Sequence, residues 1–396
     1  MDTVRKTDSF VMNTYARKEV CFTRGDGCRL WDEDGKEYLD FLAGIAVCGL
    51  GHCHPEVTAA LGSQAEMLVH VSNLFYTRPG SDLAQKLCEK SFADKVFFSN
   101  SGAEANEAAI KLARRYFSSR GEKNRFRIVT MEQSFHGRTM ATLSATGQEK
   151  IKQGFEPILP GFVHVPFNSM EALEDAVDDT VCAVMLEPVQ GEGGVIPADP
   201  GYLQAVRRLC DEKGILLIFD EVQTGMGRCG KLFAHQVYNV VPDIMTLAKA
   251  LGNGLPIGAM LASDKAASGF DRGSHASTFG GTPLITAAAL KVLEIVGDQG
   301  FLDRVGKAGA YFKARLQELQ EKHESVKEVR GEGLLLGMEI DGNADEIVEK
   351  CLKKGFIVNA IQGKIIRFAP PLIVTEEEID KLVDVVSELL GKENRV

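Results

Sequence analysis

Three apolar runs that each end at a charged side chain constrain this chain more than any other feature. They are Val181–Glu187, Ile215–Asp220 and Ile244–Ala248, the last followed at once by Lys249. Runs of this kind, without polar alternation, predict strands buried on both faces. Shorter apolar stretches at Val96–Ser99 and Arg127–Met131 predict two more strands, while Gly102–Phe117 and Pro200–Lys213 have helical spacing. Strands alternating with helices indicate an α/β fold with a largely parallel sheet. Polar residues that close such strands lie where open α/β sheets bind ligands.

The two ends of the chain read differently. Cys21–Phe41 predicts short strands around a DEDG turn, and Val326–Gly337, Phe356–Asn359 and Ile365–Phe368 predict further short strands between helices. Thr375–Leu390 opens with TEEE, so Thr375 is placed to cap a helix whose first turn is acidic. At 396 residues the chain exceeds the ~250–300 at which one core stops growing. The expected division is a large central domain, 51–300, and a smaller α+β domain built from both ends, 1–50 and 301–396.

Charge and composition remove several classes of function. A net charge of −10 repels a phosphate backbone, so no nucleic-acid partner is expected. No apolar run approaches the ~20 residues that span a bilayer, and MDTVRKTDSF lacks the apolar core of a secretory signal. Nine scattered cysteines in a chain this long do not make a disulfide scaffold and fit free thiols in a reducing cytoplasm. Cys48, His52, Cys53 and His54 crowd into GLGHCHP, but structural zinc sites draw on two separated ligand pairs, so a structured turn is expected and no metal. GEGLLLG, Gly331–Gly337, has the wrong spacing for a dinucleotide fingerprint, with strand rather than helix after its second glycine.

The remaining motifs converge on one chemistry. In SNSGAEANEAAIKLAR, Ser99–Arg114, a strand ends and a helix begins near Gly102. The N–H groups of Gly102 and Ala103 then face outward at a helix N-terminus, which is a phosphate cradle. Asp220 ends a buried strand and Lys249 ends the next, 29 residues on. A buried carboxylate needs a cationic or hydrogen-bonding partner, and a buried lysine is costly unless its charge is paired or removed. A phosphate cup, a buried Asp and a buried Lys at one sheet edge together fit pyridoxal 5'-phosphate. Lys249 would attach to its aldehyde, and Asp220 would keep its ring nitrogen protonated.

Over nearly its whole length the chain resembles the class III pyridoxal-phosphate aminotransferases of the fold-type I group, and within them the acetylornithine aminotransferases. The motifs that carry the resemblance are SNSGAEANEAAIK, FHGRT, EPVQGEGG, DEVQTGMGR, LAKALGNGLPIGA and HASTFGGTPL. It implies a large domain with a mostly parallel seven-stranded sheet. It also implies roles for individual residues. Lys249 is the cofactor-binding and proton-shuttling lysine, and Asp220 the partner of the ring nitrogen. Gln223 bonds the phenolic oxygen, Ser101, Gly102 and Ala103 hold the phosphate, and Phe135 stacks on the ring. Thr278 reaches the phosphate of a partner subunit and Ser277 lies near the substrate, which implies a homodimer with shared active sites. His136, next to Phe135, is expected to pack near the cofactor.

On the substrate side, Arg367 in IIRFAPPL resembles the arginine that grips the α-carboxylate of glutamate. Glu192 resembles the carboxylate that neutralises it when the other substrate is bound, and Arg138 resembles the group that holds the distal carboxylate. The implied reaction moves the δ-amino group of N2-acetylornithine to 2-oxoglutarate, giving N-acetylglutamate 5-semialdehyde and glutamate, in arginine biosynthesis. Succinyldiaminopimelate, succinylornithine, ornithine and 4-aminobutyrate are the competing amine donors, and a non-catalytic cofactor-binding protein is the competing class. Ile45 stands where ornithine aminotransferases carry a Tyr, and an apolar side chain there suits an acylated α-nitrogen. Cys48 stands where acetylornithine enzymes often have Asn, and Cys229 where Thr is frequent.

Overall fold

The computed structural model describes residues 3–393. Its centre is a seven-stranded sheet built from β1 (Lys95–Ser99), β2 (Arg127–Met131), β3 (Phe162–Val165), β4 (Val181–Leu186), β5 (Leu216–Asp220), β6 (Ile244–Leu247) and β7 (Gly258–Ala262). Their order across the sheet is β1-β7-β6-β5-β4-β2-β3. β3, β2, β4, β5 and β6 run parallel, and β7 is antiparallel to both β6 and β1. The three runs that ended on charge lie side by side as β4, β5 and β6. β3 and β7 were not among the expected strands. β7 follows a loop rich in Gly and Pro that interrupts the apolar pattern.

The two-faced burial of these strands is explicit in β5. Leu216 and Ile218 pack with Ala108, Ala109 and Leu112 of α1 (Gly102–Ser118), whereas Leu217 and Phe219 pack with Leu203 and Val206 of α2 (Pro200–Lys213). Alternate residues of one strand thus serve two layers, and each such side chain contributes about 1.5–3 kcal/mol of burial. α2 starts on a proline and ends at Gly214, whose φ of +63° closes the helix. α1 starts at Ser101, whose hydroxyl accepts from Glu104 N at 3.2 Å, while the Glu104 carboxylate reaches back to Asn100 N at 3.0 Å.

The chain ends form two four-stranded sheets. Phe22–Asp26, Arg29–Asp32 and Glu37–Asp40 make a meander, with Asp32 Oδ1 accepting from Asp34 N and Lys36 N across the expected turn. Phe356–Ile357 joins it in parallel beside Leu39 and Asp40, so the two ends of the chain share one sheet. Two residues on, Asn359–Ile361 belongs to the other sheet, with Val326–Glu332, Leu335–Ile340 and Ile365–Phe368. The segment expected as one strand over Phe356–Asn359 therefore changes sheets partway. The terminal helix begins as expected: Thr375 Oγ1 accepts from Glu378 N, and Glu378 Oε2 accepts from Thr375 N. Phe312 meets both Phe41 and Phe368 edge-on, at 5.8 and 5.2 Å. Those rings belong to an apolar cluster that also holds Leu247, the end of β6.

Candidate active site

The carboxyl ends of β1, β4, β5 and β6 open on one cavity of about 480 Å³. Its walls carry Ser101, Gly102 and Ala103 after β1, Glu187 after β4, Asp220 at the end of β5 and Lys249 just past β6. Phe135, Arg138, Glu192 and Gln223 complete the set from neighbouring loops. Ten of the twelve expected site residues thus come together, counting Arg367, which reaches the cavity through Glu192 and Gln223.

Asp220 is buried and heavily bonded. Its Oδ2 accepts from Asn106 Nδ2 and lies against His136 Nδ1, both at 2.8 Å, and its Oδ1 accepts from Val222 N at 3.0 Å. Asn106 is held in turn by Thr246 Oγ1 at 2.7 Å and by the His136 carbonyl at 2.8 Å. An ionised carboxylate offers about four acceptor positions, so one is left for a further donor. His136 was expected only to pack. It is instead a direct hydrogen-bond partner of Asp220: burial opposes charge on its ring, but Asp220's hydrogen bond and charge outweigh that and raise its pKa. The sequence signal for both partners was present in FHGRT and GAEAN, yet nothing in either motif says that it meets Asp220.

Glu187 is a second buried carboxylate that sequence reasoning passed over. Its two oxygens accept from Phe135 N at 3.0 Å and Gly191 N at 3.3 Å, tying the Phe135 loop to the loop of Glu192. Burial pushes its pKa up to about 7; His136 and the two backbone bonds pull down, and Asp220 adds to the rise.

Lys249 has the left-handed φ of +42°, unusual for a non-glycine, which turns its side chain off the end of β6. It lines the cavity, and its Nζ makes no hydrogen bond among the described residues. Burial lowers its pKa, and the charge of Arg367 adds to that, against Glu192, Asp220 and Glu187. The neutral amine is therefore easier to reach than in a surface lysine. At the start of α1, Gly102 N and Ala103 N have no acceptor among the described residues. A Cβ on Gly102 would lie 2.7 Å from Val222 Cγ1, so glycine is needed where the helix meets the β5 loop. The Ser101 hydroxyl is occupied with Glu104, to whose Oε2 it donates at 2.9 Å.

Arg367, 1% exposed, pairs with Glu192 through Nη1 at 2.5 Å and donates from Nε to Asn359 Oδ1 at 3.0 Å. Gln223 sits between them, 3.4 Å from Glu192 Oε1 and 3.5 Å from Arg367 Nη1. Arg367 Nη2 is buried with no hydrogen-bond partner among the described residues. For Glu192, burial acts to raise the pKa, but Arg367, Lys249 and the bonds from Arg367 and Gln223 win and lower it. Arg138 is exposed at the rim, its guanidinium 5.5 Å from the Phe135 ring centre.

Ser277 and Thr278 are the two that this chain does not bring to its own cavity. Ser277 Oγ accepts from Gly280 N and Asn100 Nδ2, and Thr278 is exposed on a separate depression beside Asn73. Ile45 lies in a tight turn in which Ala43, Gly44, Ile45 and Ala46 all have positive φ, from 51° to 67°. Asp40 Oδ1 accepts from the N–H groups of Leu42 and Ala43 at the entrance of that turn, and Val47 at its exit lines the cavity.

A doubly covered, mostly parallel sheet with a lysine, a carboxylate and unpaired helix N–H groups at its carboxyl edge defines a class of enzyme. The family model aminotransferase class-III matches residues 11–390, and the chain belongs to that family, as a transaminase. Among its relatives, the acetylornithine aminotransferase of Caldanaerobacter subterraneus subsp. tengcongensis is 54% identical over 385 residues, covering 97% of this chain and 98% of the relative. That of Methanocaldococcus jannaschii is 50% identical over 378 residues, covering 96% and 95%. Of solved structures, the N-acetylornithine aminotransferase from Stenotrophomonas maltophilia K279a aligns with a TM-score of 0.86 at 38% identity, over 99% of both chains. The ornithine aminotransferase from Toxoplasma gondii ME49 aligns with a TM-score of 0.95 at 36% identity, over 99% of this chain and 95% of that one.

Proposed function

We propose that the cavity binds pyridoxal 5'-phosphate and that the enzyme transfers the δ-amino group of N2-acetylornithine to 2-oxoglutarate, as an acetylornithine aminotransferase. The observation that carries this reading is the buried Arg367, paired with Glu192 yet with Nη2 unpartnered. Such a group can take a carboxylate in a two-pronged grip when Glu192 moves aside, and can be neutralised when it does not. One pocket can then serve an amine beside a carboxylate and an amine far from one.

The residues present fit the cofactor. Gly102 N and Ala103 N are free for a phosphate, Asp220 has an acceptor position left for a ring N–H, and Phe135 offers a flat face. Bound there, the cofactor supplies an aldehyde that condenses with primary amines and a ring that takes up the electron pair left when a carbon loses its proton. Lys249, made less basic by burial, supplies the amine and then carries the proton at Nζ between carbon centres. His136 and Asn106 fix the Asp220 carboxylate in orientation. Arg138, at the rim, meets the distal carboxylate of either substrate.

Thr278, exposed on a separate depression, is assigned to the partner's phosphate in a homodimer with shared sites, with Ser277 near the substrate there. Exposed Leu74, Phe75, Tyr76 and Phe279 supply the apolar surface for such a contact. We take 1–50 and 301–396 as the small domain and 51–300 as the large one. No helix among the described residues is long and apolar enough to cross a membrane, and all nine cysteines are free, which suits a cytoplasmic enzyme of arginine biosynthesis.

A second reading, transfer from unblocked ornithine, is favoured by the close alignment with the T. gondii enzyme. The apolar Ile45 opposes it. Values of kcat/KM for acetylornithine, succinyldiaminopimelate, ornithine and 4-aminobutyrate decide the matter. Acetylornithine is expected to lead, and a higher value for ornithine would overturn the proposal.

A further inference from the structure

Arg228 is buried to 0% exposure, a second arginine as enclosed as Arg367, and it does not line the cavity. No carboxylate bonds it. Its Nη1 donates to the carbonyl of Leu334 at 3.0 Å and to that of Pro370 at 2.6 Å, while Nε and Nη2 have no hydrogen-bond partner among the described residues. Burial lowers its pKa to about 10, which leaves it cationic at neutral pH. A buried cation held only by carbonyl dipoles is a poor choice for stability, because an apolar side chain of similar volume avoids the cost of taking a charge out of water. What distinguishes Arg228 is the pair of carbonyls that it joins.

Leu334 leads into the strand Leu335–Ile340, whose Gly337 is the direct partner of Arg367, and Pro370 lies just past the end of Ile365–Phe368, which carries Arg367. One guanidinium nitrogen thus ties the entrance of one strand to the exit of its neighbour. The main chain repeats the bond in the opposite sense, with Leu334 N donating to the Arg228 carbonyl at 3.0 Å. That approach requires glycine beside it, since a Cβ on Gly333, at φ +57°, would lie 2.5 Å from the Arg228 oxygen. Arg228 also shares a loop with Gln223, which stands 3.5 Å from Arg367 Nη1. The loop is closed by Glu221, which accepts from Ala234 N at 2.5 Å and His235 N at 2.7 Å. Arg367 is therefore held at its guanidinium and at its strand by one segment, anchored on the strand that ends in Asp220.

We propose that Arg228 is a positioning residue for Arg367: by clamping the Leu334 and Pro370 carbonyls it sets where the Arg367 guanidinium stands, and so the affinity of the site for a carboxylate beside the reacting amine. This role rests on Arg367 being the carboxylate-binding group of the proposed function. It bears on one substrate pair only. Glutamate and 2-oxoglutarate need Arg367 in register with a bound carboxylate, and a displacement of about 1 Å spoils a two-pronged grip. Acetylornithine presents methylenes to Arg367 while Glu192 stays paired with it, and the partly exposed Glu192 side chain can follow a small shift.

The test uses the holoenzyme and glutarate, a dicarboxylate with neither amine nor keto group, its binding followed through the absorbance of the cofactor. Arg228→Met removes the donors at similar volume and should weaken glutarate about tenfold. In single turnover it should raise the half-saturating glutamate concentration by a similar factor, with the maximal rate and the whole acetylornithine half held within about twofold. Arg228→Lys, which can still donate to two carbonyls, should recover most of the glutarate affinity. Should Arg228→Met not fold, Arg228→Gln, which keeps a donor but is too short to span both carbonyls, is held to the same expectations. A merely structural residue would lower Tm and slow both halves alike, or leave glutarate untouched; either result, or a Lys variant as weak as Met, overturns the proposal. Arg367→Lys separates the two levels of inference. If it leaves glutarate binding unchanged, the carboxylate role of Arg367 fails and this proposal with it; if it weakens glutarate and no Arg228 variant does, only the role of Arg228 fails.

Discussion

Removing the Glu192 carboxylate should separate the two half-reactions. With charge centres ~4 Å apart and an effective dielectric of ~20, the attraction between Arg367 and Glu192 is about 4 kcal/mol. Arg367 keeps its bond to Asn359, and Glu192, whose side chain is 29% exposed, leaves a gap that water can enter from the cavity. Both effects soften the loss to about 2–3 kcal/mol, against about 3–5 for a fully buried pair. In the acetylornithine half, Glu192→Ala leaves the guanidinium facing methylenes, so that half should slow by about 30- to 150-fold. In the glutamate half the substrate carboxylate replaces Glu192, so the rate should hold or rise. Glu192→Gln keeps a hydrogen-bond acceptor without the charge and should fall between. The assay is single-turnover absorbance of the bound cofactor, with each amine donor supplied separately. Equal slowing of both halves would refute the reasoning and make Glu192 structural.

Lys249→Ala should retain the cofactor through the α1 N-terminus but not turn over, and borohydride reduction of the wild type followed by peptide mapping should label Lys249; a label on another lysine would sink the assignment. Mixing inactive Lys249→Ala with inactive Thr278→Ala should restore activity once subunits exchange, because one hybrid site is intact; no recovery after confirmed exchange would count against shared sites. The His52 pKa is raised in the fold, from ~6.5 to about 10, so the His52–Asp40 pair stabilises fully below ~6.5 and its contribution fades as pH rises through 10. The Tm gap between wild type and His52→Gln should therefore narrow from pH 6.5 to 10, and a constant gap would argue against a charged pair.

What was legible in the sequence was what depends on short range. Apolar runs place β4, β5 and β6, and the residues ending them fall at one edge because parallel strands all present their carboxyl ends there. Asp220 and Lys249 could be paired for that reason alone. What was not legible depends on long-range neighbours. Asn106 and His136 lie 114 and 84 residues from Asp220, and no periodicity announces that their side chains converge on Oδ2. Gln223 was assigned to the cofactor by resemblance, and only the folded chain reveals its contacts with Glu192 and Arg367. The split of Phe356–Ile361 between two sheets has a similar origin, since partner strands and not local propensity decide where each short strand goes.

The left-handed turn at Ala43–Ala46 carries a thermodynamic cost beside the cavity, which Val47 at its exit lines. Each non-glycine residue there costs roughly 1–2 kcal/mol in backbone energy, and a β-branched side chain is the least suited of all. Ile45 thus occupies a position where the chain would be more comfortable with Gly or Asn. Variants selected for stability alone should drift toward those residues. The Asp40 carboxylate, which accepts from Leu42 N and Ala43 N, holds the strained turn in place.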